Sequence, residues 1–458
     1  MKNRTIFTGD NLHIMRGMNS ESVDLIYLDP PFNSSRDYAA PIGSKAAGAE
    51  FKDTWTLDDI DVEWINLIED KHPNLYRVIM AAMTNSDKSY LAYMAVRLLE
   101  MHRLLKATGS KYLHCDPTMS HYLKLMMDAI WGRKNFRNEI SWRRAHGHKR
   151  GGTPTRYGRS TDVILLYSQG DKVVFNPYQP RGEEESKKMF NKSDKRGRYR
   201  AFSAKSNIWR QTPSEKYLYN WRGFTPPSGY AWTVLEDTLE QRYQEGTIVI
   251  RDDGELEYRY YLDVDPGVML NDFWDDIPIA NKKERTGYPT QKPVKLLERI
   301  IRASSNPGDV VFDPFCGCAT TMVAAETLGR KWIGCDVSPK AAELVLARLE
   351  DIPSAYTYVN IREDVPRRTD LGKLPPANSK ENKEKLYGSQ GGHCAGCDEH
   401  HFLRHLEVDH IIARSHGGTD HLDNLQLLCG HCNRVKGNRG MEYLNTKLQL
   451  TKNRRRNK

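Results

Sequence analysis

A chain of 458 residues, 39% of them hydrophobic, can bury a sizeable core, and its length predicts roughly two to four globular domains. No charged-then-apolar leader opens MKNRTIFTGDNLHIM and no apolar run approaches a membrane span, so neither secretion nor membrane insertion is expected and the cytosol is the expected compartment. Lys and Arg outnumber Asp and Glu by 68 to 59, and the excess is clustered: Arg143 to Arg159 carries six Lys or Arg and no acid, and the final TKNRRRNK carries five. Solvated charge is the bland explanation, but two basic blocks on one chain favour a polyanion such as nucleic acid.

RTIFTGD predicts a strand ending at Gly9 and Asp10, and a short helix then leads to a second strand, LIYLDPPF. Leu25 to Leu28 is short and apolar, as in a buried strand, yet Asp29, Pro30, Pro31 and Phe32 follow at once. The two prolines forbid both further sheet pairing and a helix. An ordinary strand-ending turn would account for these four letters, so the acidic corner needs a reason from elsewhere in the chain. Tyr90 to Leu105 has apolar residues at helical spacing, and KYLHCD and DVILLYS follow as strands. Strands alternating with helices predict a parallel, doubly wound α/β sheet. From about Gly170 to Trp274 the alternation dissolves into charged, aromatic and Pro/Gly-rich sequence, which predicts an inserted lobe. The aromatics of YNWRGFTPPSGYAW are expected to pack that lobe onto the sheet domain. The helix PVKLLERIIRAS, the strand DVVFDPF, the helix TTMVAAETLG and the strand KWIGCDVS then resume the alternation. Pro366 to Gly391 is polar, contains proline and is poor in apolar residues, as a linker would be. The expected organisation is a first domain over 1–365 with an insertion at 170–274, a linker over 366–391, a small domain over 392–440 and a basic tail over 441–458.

In VVFDPFCGCATT a strand runs into a small-residue turn and then a helix, which is how α/β sheets make room for a nucleotide-like ligand at the carboxyl ends of their strands. The next strand ends in Asp336, about twenty residues after Gly317, where a carboxylate can accept hydrogen bonds from ribose hydroxyls. Ala319 stands where a second glycine would be expected. The dinucleotide fingerprint is not met, which disfavours hydride transfer.

DPPF early and DPFCGCATT late, in that order, resemble the amino-methyltransferases of DNA in the circularly permuted arrangement called the β class. Those enzymes methylate the exocyclic nitrogen of adenine or cytosine. The resemblance covers roughly residues 1 to 350 and implies a class I, Rossmann-like fold dependent on S-adenosylmethionine, with a target-recognition insertion and double-stranded DNA as partner. TGDNL resembles the family's strand-end carboxylate, so Asp10 is expected to meet the cofactor adenine. TQKPVKLLERII resembles the helix before the cofactor loop. Asp313, Pro314, Phe315, Gly317 and Thr320 are expected to form that loop, with Asp336 and Asp29 completing the cofactor site.

By the same resemblance, Asp29 and the Pro30 carbonyl accept the two N–H bonds of the target amine and draw its nitrogen toward tetrahedral geometry. Pro30 and Pro31 fix those acceptors, and Phe32 stacks a base flipped out of the duplex. A leading Asp goes more often with adenine N6 than with cytosine N4, which stays as the alternative. The basic block and the lobe are expected to hold and read DNA. A homodimer is left open.

Of the eight cysteines, Cys115, Cys316, Cys318 and Cys335 are scattered through strand-like sequence and are expected to be reduced and buried. Cys394 with Cys397 and Cys429 with Cys432 form two C-x-x-C pairs at the spacing of a four-thiolate structural zinc site. Disulfides are the alternative, which a cytosolic setting disfavours. CAGC, LEVDHI and GGTDHLDNLQLLCGHCNRVKG resemble an HNH nuclease, a ββα-metal fold, over about Gly392 to Arg439.

That resemblance implies that His410 deprotonates a water for attack on phosphorus, that Asp409 and Asn433 hold a divalent cation, magnesium first among them, and that Asn424 orients the His410 loop. Zinc on the four cysteines would stand in for a core. Two reactions on one chain imply a fused restriction and modification enzyme of prokaryotic or phage origin. The alternatives are methylation alone, with the HNH module docking or nicking, and a DNA-binding protein without catalysis.

Overall fold

The computed structural model describes residues 1–34, 71–144, 157–207, 214–350 and 358–456, with residue 352 and scattered positions between 38 and 69. Residues 145–156 of the basic block lie outside the described residues. The chain divides into two compact units, Met1–Asn176 with Asn271–Lys458, and Pro177–Leu270. No described helix is long and apolar enough to cross a membrane.

Nine strands of the first unit share one sheet. Strands β1 (Thr5–Thr8), β2 (Val23–Leu28), β3 (Leu105–Cys115), β4 (Phe136–Arg143) and β5 (Thr161–Ser168) precede the insertion. Strands β6 (Phe273–Trp274), β7 (Val310–Asp313), β8 (Lys331–Asp336) and β9 (Asn360–Arg362) follow it. Their order is β6-β4-β5-β3-β2-β7-β8-β1-β9. From β3 to β9 every pairing is parallel. Strand β5 runs antiparallel to both β3 and β4, so the sheet is mixed where an all-parallel one is expected. The reason is local: β5 follows β4 in the chain and pairs with it from Arg143–Thr161 to Phe136–Tyr167, a hairpin-like return that needs no crossover helix.

The strands β2 and β7 are buried as their apolar runs predict, with Leu25, Ile26, Leu28, Val311 and Phe312 shut off from solvent. Helices α1 (Asn11–Gly17), α2 (Asn85–Leu104), α3 (Val294–Ser304) and α4 (Thr320–Thr327) connect and cover the strands. Helix α2 begins a turn and a half before its apolar periodicity because the Thr84 hydroxyl accepts from the Asp87 N–H and caps it. Helix α3 buries Leu296, Leu297, Ile300 and Ile301, two neighbouring pairs one helical turn apart that form a single stripe.

The second unit is built on a four-stranded antiparallel sheet whose central strands are Arg198–Ser203 and Leu256–Tyr261. Its aromatics make a core of their own. Trp221 and Trp232 pack with Leu239, Ile248 and Leu256, and their indole N–H groups reach Glu240 and the Tyr219 carbonyl, each at 2.9 Å. The expected role of these rings as glue to the sheet domain is therefore replaced by one within the unit. It carries as many Asp and Glu as Lys and Arg, so it contributes no net positive charge.

The C-terminal module of the first unit has a β10 (Leu406–His410) and β11 (Leu425–Cys429) antiparallel pair. Around it lie α5 (Lys380–Ser389), α6 (Gly430–Lys436) and α7 (Met441–Arg456). Here the expected linker differs from what forms. Ser379 caps α5 by accepting from the Asn382 N–H at 3.2 Å, and Leu386 enters the small core of Leu406, Leu425, Leu427, Leu428 and Leu444. Upstream, Thr369 and Asn19 exchange two hydrogen bonds of 2.8 Å, and Asp370 accepts from the Ser20 N–H, so the segment is fastened to the sheet domain. The expected basic tail is helical from Met441 and buries Leu444. Because this core is so small, Leu386→Ala is expected to destabilise the module by about 2 to 4 kcal/mol. Hydrogen exchange should show faster opening across β10 and β11, with the large sheet unchanged.

Candidate active site

Strands β2, β7, β8 and β1 are consecutive and parallel, so their carboxyl ends open on one edge of the sheet. Those ends carry Asp29, Asp313, Asp336 and Asp10, and all four line a single cavity of about 430 Å³. That volume lies in the range of organic-ligand sites. The proline corner and the small-residue turn, far apart in the chain, thus face the same space. Pro30, Pro31 and Phe32 line it from one side and Pro314, Phe315, Gly317 and Thr320 from the other.

The corner is held by more than its prolines. Asn33 adopts φ +57°, and the buried Asp53 accepts from the Asn33 N–H at 2.7 Å and the Ser34 N–H at 2.9 Å. Phe32 stacks on His114 with centroids 6.0 Å apart and planes at 26°. His114 is itself fully buried, between the Tyr27 hydroxyl at 3.0 Å and Asp162 at 3.3 Å. Asp29 forms an ion pair through Oδ2 with the Lys292 ammonium. Its Oδ1 is buried and has no hydrogen-bond partner among the described residues.

Across the cavity, Asp313 accepts from the Phe315 N–H at 3.0 Å and from the Thr321 hydroxyl. Burial pushes its carboxyl up to about 7, against those hydrogen bonds and with Asp29 and Asp336 adding to the rise. Burial also raises Asp336, opposed by the Ser338 and Gly317 N–H groups, each 2.9 Å from its oxygens. Gly317 lies at φ +47°, and a Cβ there would press on the Tyr288 ring at 3.0 Å, so both backbone and space favour glycine. Ala319 takes the left-handed conformation a glycine would take, at φ +67°, at a cost of about 1 kcal/mol. The loop shape is therefore kept despite the substitution. The Thr320 hydroxyl is held between Arg348 at 3.0 Å and the Lys292 carbonyl at 3.3 Å.

Asp10 caps α1, accepting from the Leu12 N–H at 2.9 Å, and pairs with Arg97 at 2.9 Å. Burial works to raise its pKa, but Arg97 and the Leu12 N–H prevail and lower it. Beside it, the Asn11 amide donates to the Pro314 carbonyl at 2.8 Å and accepts from Arg97 at 2.7 Å, joining the β1 and β7 loops. Asn11, Asp53, Arg97, Tyr288 and Lys292 escape a motif reading. Asn11 sits inside TGDNL beside the acid singled out there, and Lys292 inside TQKPVKLLERII, where a cation just ahead of an apolar helix is a visible signal.

In the C-terminal module, His410 Nε2 lies 2.8 Å from Asp420, which is also bound by Arg414. The Asn424 amide donates to the Thr419 carbonyl at 2.8 Å and the Ile412 carbonyl at 3.1 Å, and accepts from the Ile412 N–H at 2.9 Å, closing the loop after His410. Asp409 accepts from Gln426 at 2.8 Å and pairs with the buried Lys436 at 3.0 Å. Asn433 donates to Glu407. Lys436 thus occupies Asp409 where a cation would need its oxygens, whereas the Asn433 bond uses the amide nitrogen and not the oxygen a cation would take.

The four thiols do fit zinc. Cys394, Cys397, Cys429 and Cys432 bring their sulfurs within 4.8 Å of one another, near the spacing set by Zn–S bonds of about 2.3 Å. Backbone N–H groups of Cys429 and Gly396 point at Cys394 Sγ, and a Cβ on Gly396 would crowd Cys432 Sγ at 3.0 Å. Cys115, Cys316, Cys318 and Cys335 are free and buried.

Fold and site define an α/β enzyme whose ligand enters at the carboxyl ends of its strands, joined to a small zinc-type module. The chain belongs to the DNA methylase family (N6 and N4 type), whose model matches residues 23–347, and it carries an HNH endonuclease domain matching residues 394–439. It is 30% identical over 352 residues to the type II methyltransferase M.EcaI of Enterobacter cloacae, covering 76% of this chain and 69% of that one. It is 26% identical to the DNA adenine methyltransferase YhdJ of Escherichia coli K12, over 80% and 89% of the two chains. It is 25% identical to the StyLTI Mod subunit of a Salmonella typhimurium type III restriction-modification enzyme, of which it spans half.

The raised Asp313 makes a pH prediction. In the fold this carboxyl holds its proton well above its ordinary value near 3.8, so the folded state binds more protons than the unfolded state up to about pH 7. Stability should therefore fall as pH rises through that window and level off above it. Asp313→Asn is expected to flatten the slope and, above pH 7, to be more stable by on the order of a few kcal/mol, as read by thermal unfolding across the window.

Proposed function

We propose that the chain is a site-specific methyltransferase that modifies adenine N6 in double-stranded DNA with S-adenosylmethionine, and that its HNH module hydrolyses DNA, so that one reaction protects what the other attacks. The single observation that carries the first part is that the Asp29–Phe32 corner and the Asp313–Thr320 turn line one cavity. Asp336 would take the ribose, Asp10 and Phe315 the adenine side, and Asp313, Gly317 and Thr320 the rest of the cofactor. The surplus of carboxylates suits a cationic ligand. When bound, S-adenosylmethionine supplies a methyl group activated by its sulfonium.

An exocyclic amine is a weak nucleophile because its lone pair is delocalised into the base. The Asp29 carboxylate and the Pro30 carbonyl accept its two N–H bonds and restore that lone pair, and the Asp53 clamp holds the corner in place. A paired base cannot reach this depth, so the target is flipped, and Phe32, backed by buried His114, offers a platform that cannot swing away. The leading Asp of DPPF and the likeness to a DNA adenine methyltransferase support adenine over cytosine. Asp29→Ala is expected to lower methyl transfer by about a hundredfold or more, measured with labelled cofactor. Digesting the product DNA to nucleosides should yield N6-methyladenine; N4-methylcytosine would sink the adenine assignment.

For the second reaction, Asp420 fixes His410 through Nε2 and leaves Nδ1 to take a proton from the attacking water, a base oriented by a third group. The closed Asn424 loop holds that geometry. Plasmid incubated with the protein in magnesium buffer should be nicked or cut, and His410→Ala should leave it intact. Cleavage that survives this substitution would exclude His410 as the base.

A further inference from the structure

Cys397 belongs to two groups of metal-ligand atoms at once. Its sulfur lies within 4.8 Å of those of Cys394, Cys429 and Cys432, and a Glu399 carboxylate oxygen and a His401 ring nitrogen lie within the same distance of it and of each other. The second group is held by the backbone. Residues 399–401 fold back along 392–394, with the Cys394 N–H donating to the Glu399 carbonyl at 3.0 Å and the His401 N–H to the Gly392 carbonyl at 2.9 Å. The Tyr387 hydroxyl donates to the His401 carbonyl at 3.1 Å and adds a third tie. His401 Nε2 is buried and has no hydrogen-bond partner among the described residues. Charge also favours a cation here. Zinc deprotonates the thiols that bind it, so four thiolates around one Zn²⁺ carry a net charge of about −2, and Glu399 adds to it. Cys397 is half-buried and Glu399 is exposed, so the shared sulfur lies on a side open to solvent.

We propose that Cys397, Glu399 and His401 bind a second Zn²⁺, with the Cys397 thiolate bridging it to the zinc of the four cysteines and water in its fourth position. Thiolate, imidazole and carboxylate are donors that zinc takes, and three protein ligands with one open position are a common zinc set. A thiolate sulfur keeps lone pairs enough for two cations. The Cys397 proton leaves with the first zinc, so the second ion has only water to displace. One zinc that exchanges a cysteine for His401 is the competing arrangement, and the number of ions bound separates the two. The second site needs the four-thiolate zinc beside it and stands apart from both proposed reactions.

The test is the metal content of the full chain, kept reduced and equilibrated with micromolar free Zn²⁺, for wild type, Glu399→Gln and His401→Ala. Wild type should hold about two zinc ions per chain and each variant about one. If a variant fails to fold, the wild type decides alone: Co²⁺ added to the chain carrying one zinc should bind with a thiolate-to-cobalt charge-transfer band, because its site includes Cys397. One zinc in the wild type, two retained in both variants, or Co²⁺ bound without that band would overturn the proposal. Loss of both ions from a variant that still folds would overturn it as well, since Glu399 and His401 would then belong to the four-thiolate site itself.

Discussion

Four carboxylates converge where four neighbouring parallel strands end, and the site is organised around keeping them there. Like charges this close and this buried repel, and each is also penalised by lost hydration. The chain answers with a different device for each. Arg97 neutralises Asp10, Lys292 neutralises Asp29, two backbone N–H groups solvate Asp336, and Asp313 keeps a tendency to stay protonated. With Asp53 the described lining holds five acids against the two cations Arg97 and Lys292, which leaves the cavity short of positive charge, and a cationic ligand would relieve the deficit. The same balance explains why the flanking groups are anchored so heavily: Asn11 bridges two loops, and Asp53 clamps the corner after the prolines.

Much of this was legible in the sequence because it is local. A strand followed by DPPF, and another followed by DPFCGCATT, each announce an acid at a strand end, and the alternation of strands and helices brings such ends to one edge. Even the Ala319 substitution was visible, although only the backbone shows that it keeps the left-handed turn. The residues that hold the acids in place were not legible, since each acts across a long stretch of chain: Lys292 lies 263 residues from Asp29, and Arg97 lies 87 from Asp10. Charge type can be read from letters; a partner that far away cannot.

Elsewhere the letters pointed the wrong way for reasons that are equally physical. Apolar periodicity does not encode strand direction, so β5 gave no sign that it runs against its neighbours. Helix α5 lies in polar sequence and buries Leu386 and Asn382 alone, too little for periodicity to reveal. The aromatic run of the inserted unit suggests an exterior contact, but two indole rings with three phenol rings packed against them and Leu239 suffice to make a core in a unit of that size.

The C-terminal module meets the methylase domain at α1, the seven-residue helix capped by Asp10. His13 on that helix stacks face to face on His416, with centroids 4.0 Å apart and planes 5° from parallel. Burial, with His416 and Arg16 nearby, pulls His13 down to about 4, so the stacked rings are neutral at physiological pH and do not repel. The approach is close enough to require glycine on both sides: side chains at Gly17 and Gly417 would run into the Pro366 carbonyl and the backbone of His13. A helix of two turns has no slack between its ends. The acid lining the cavity and the surface seating the HNH module are therefore carried by one short helix.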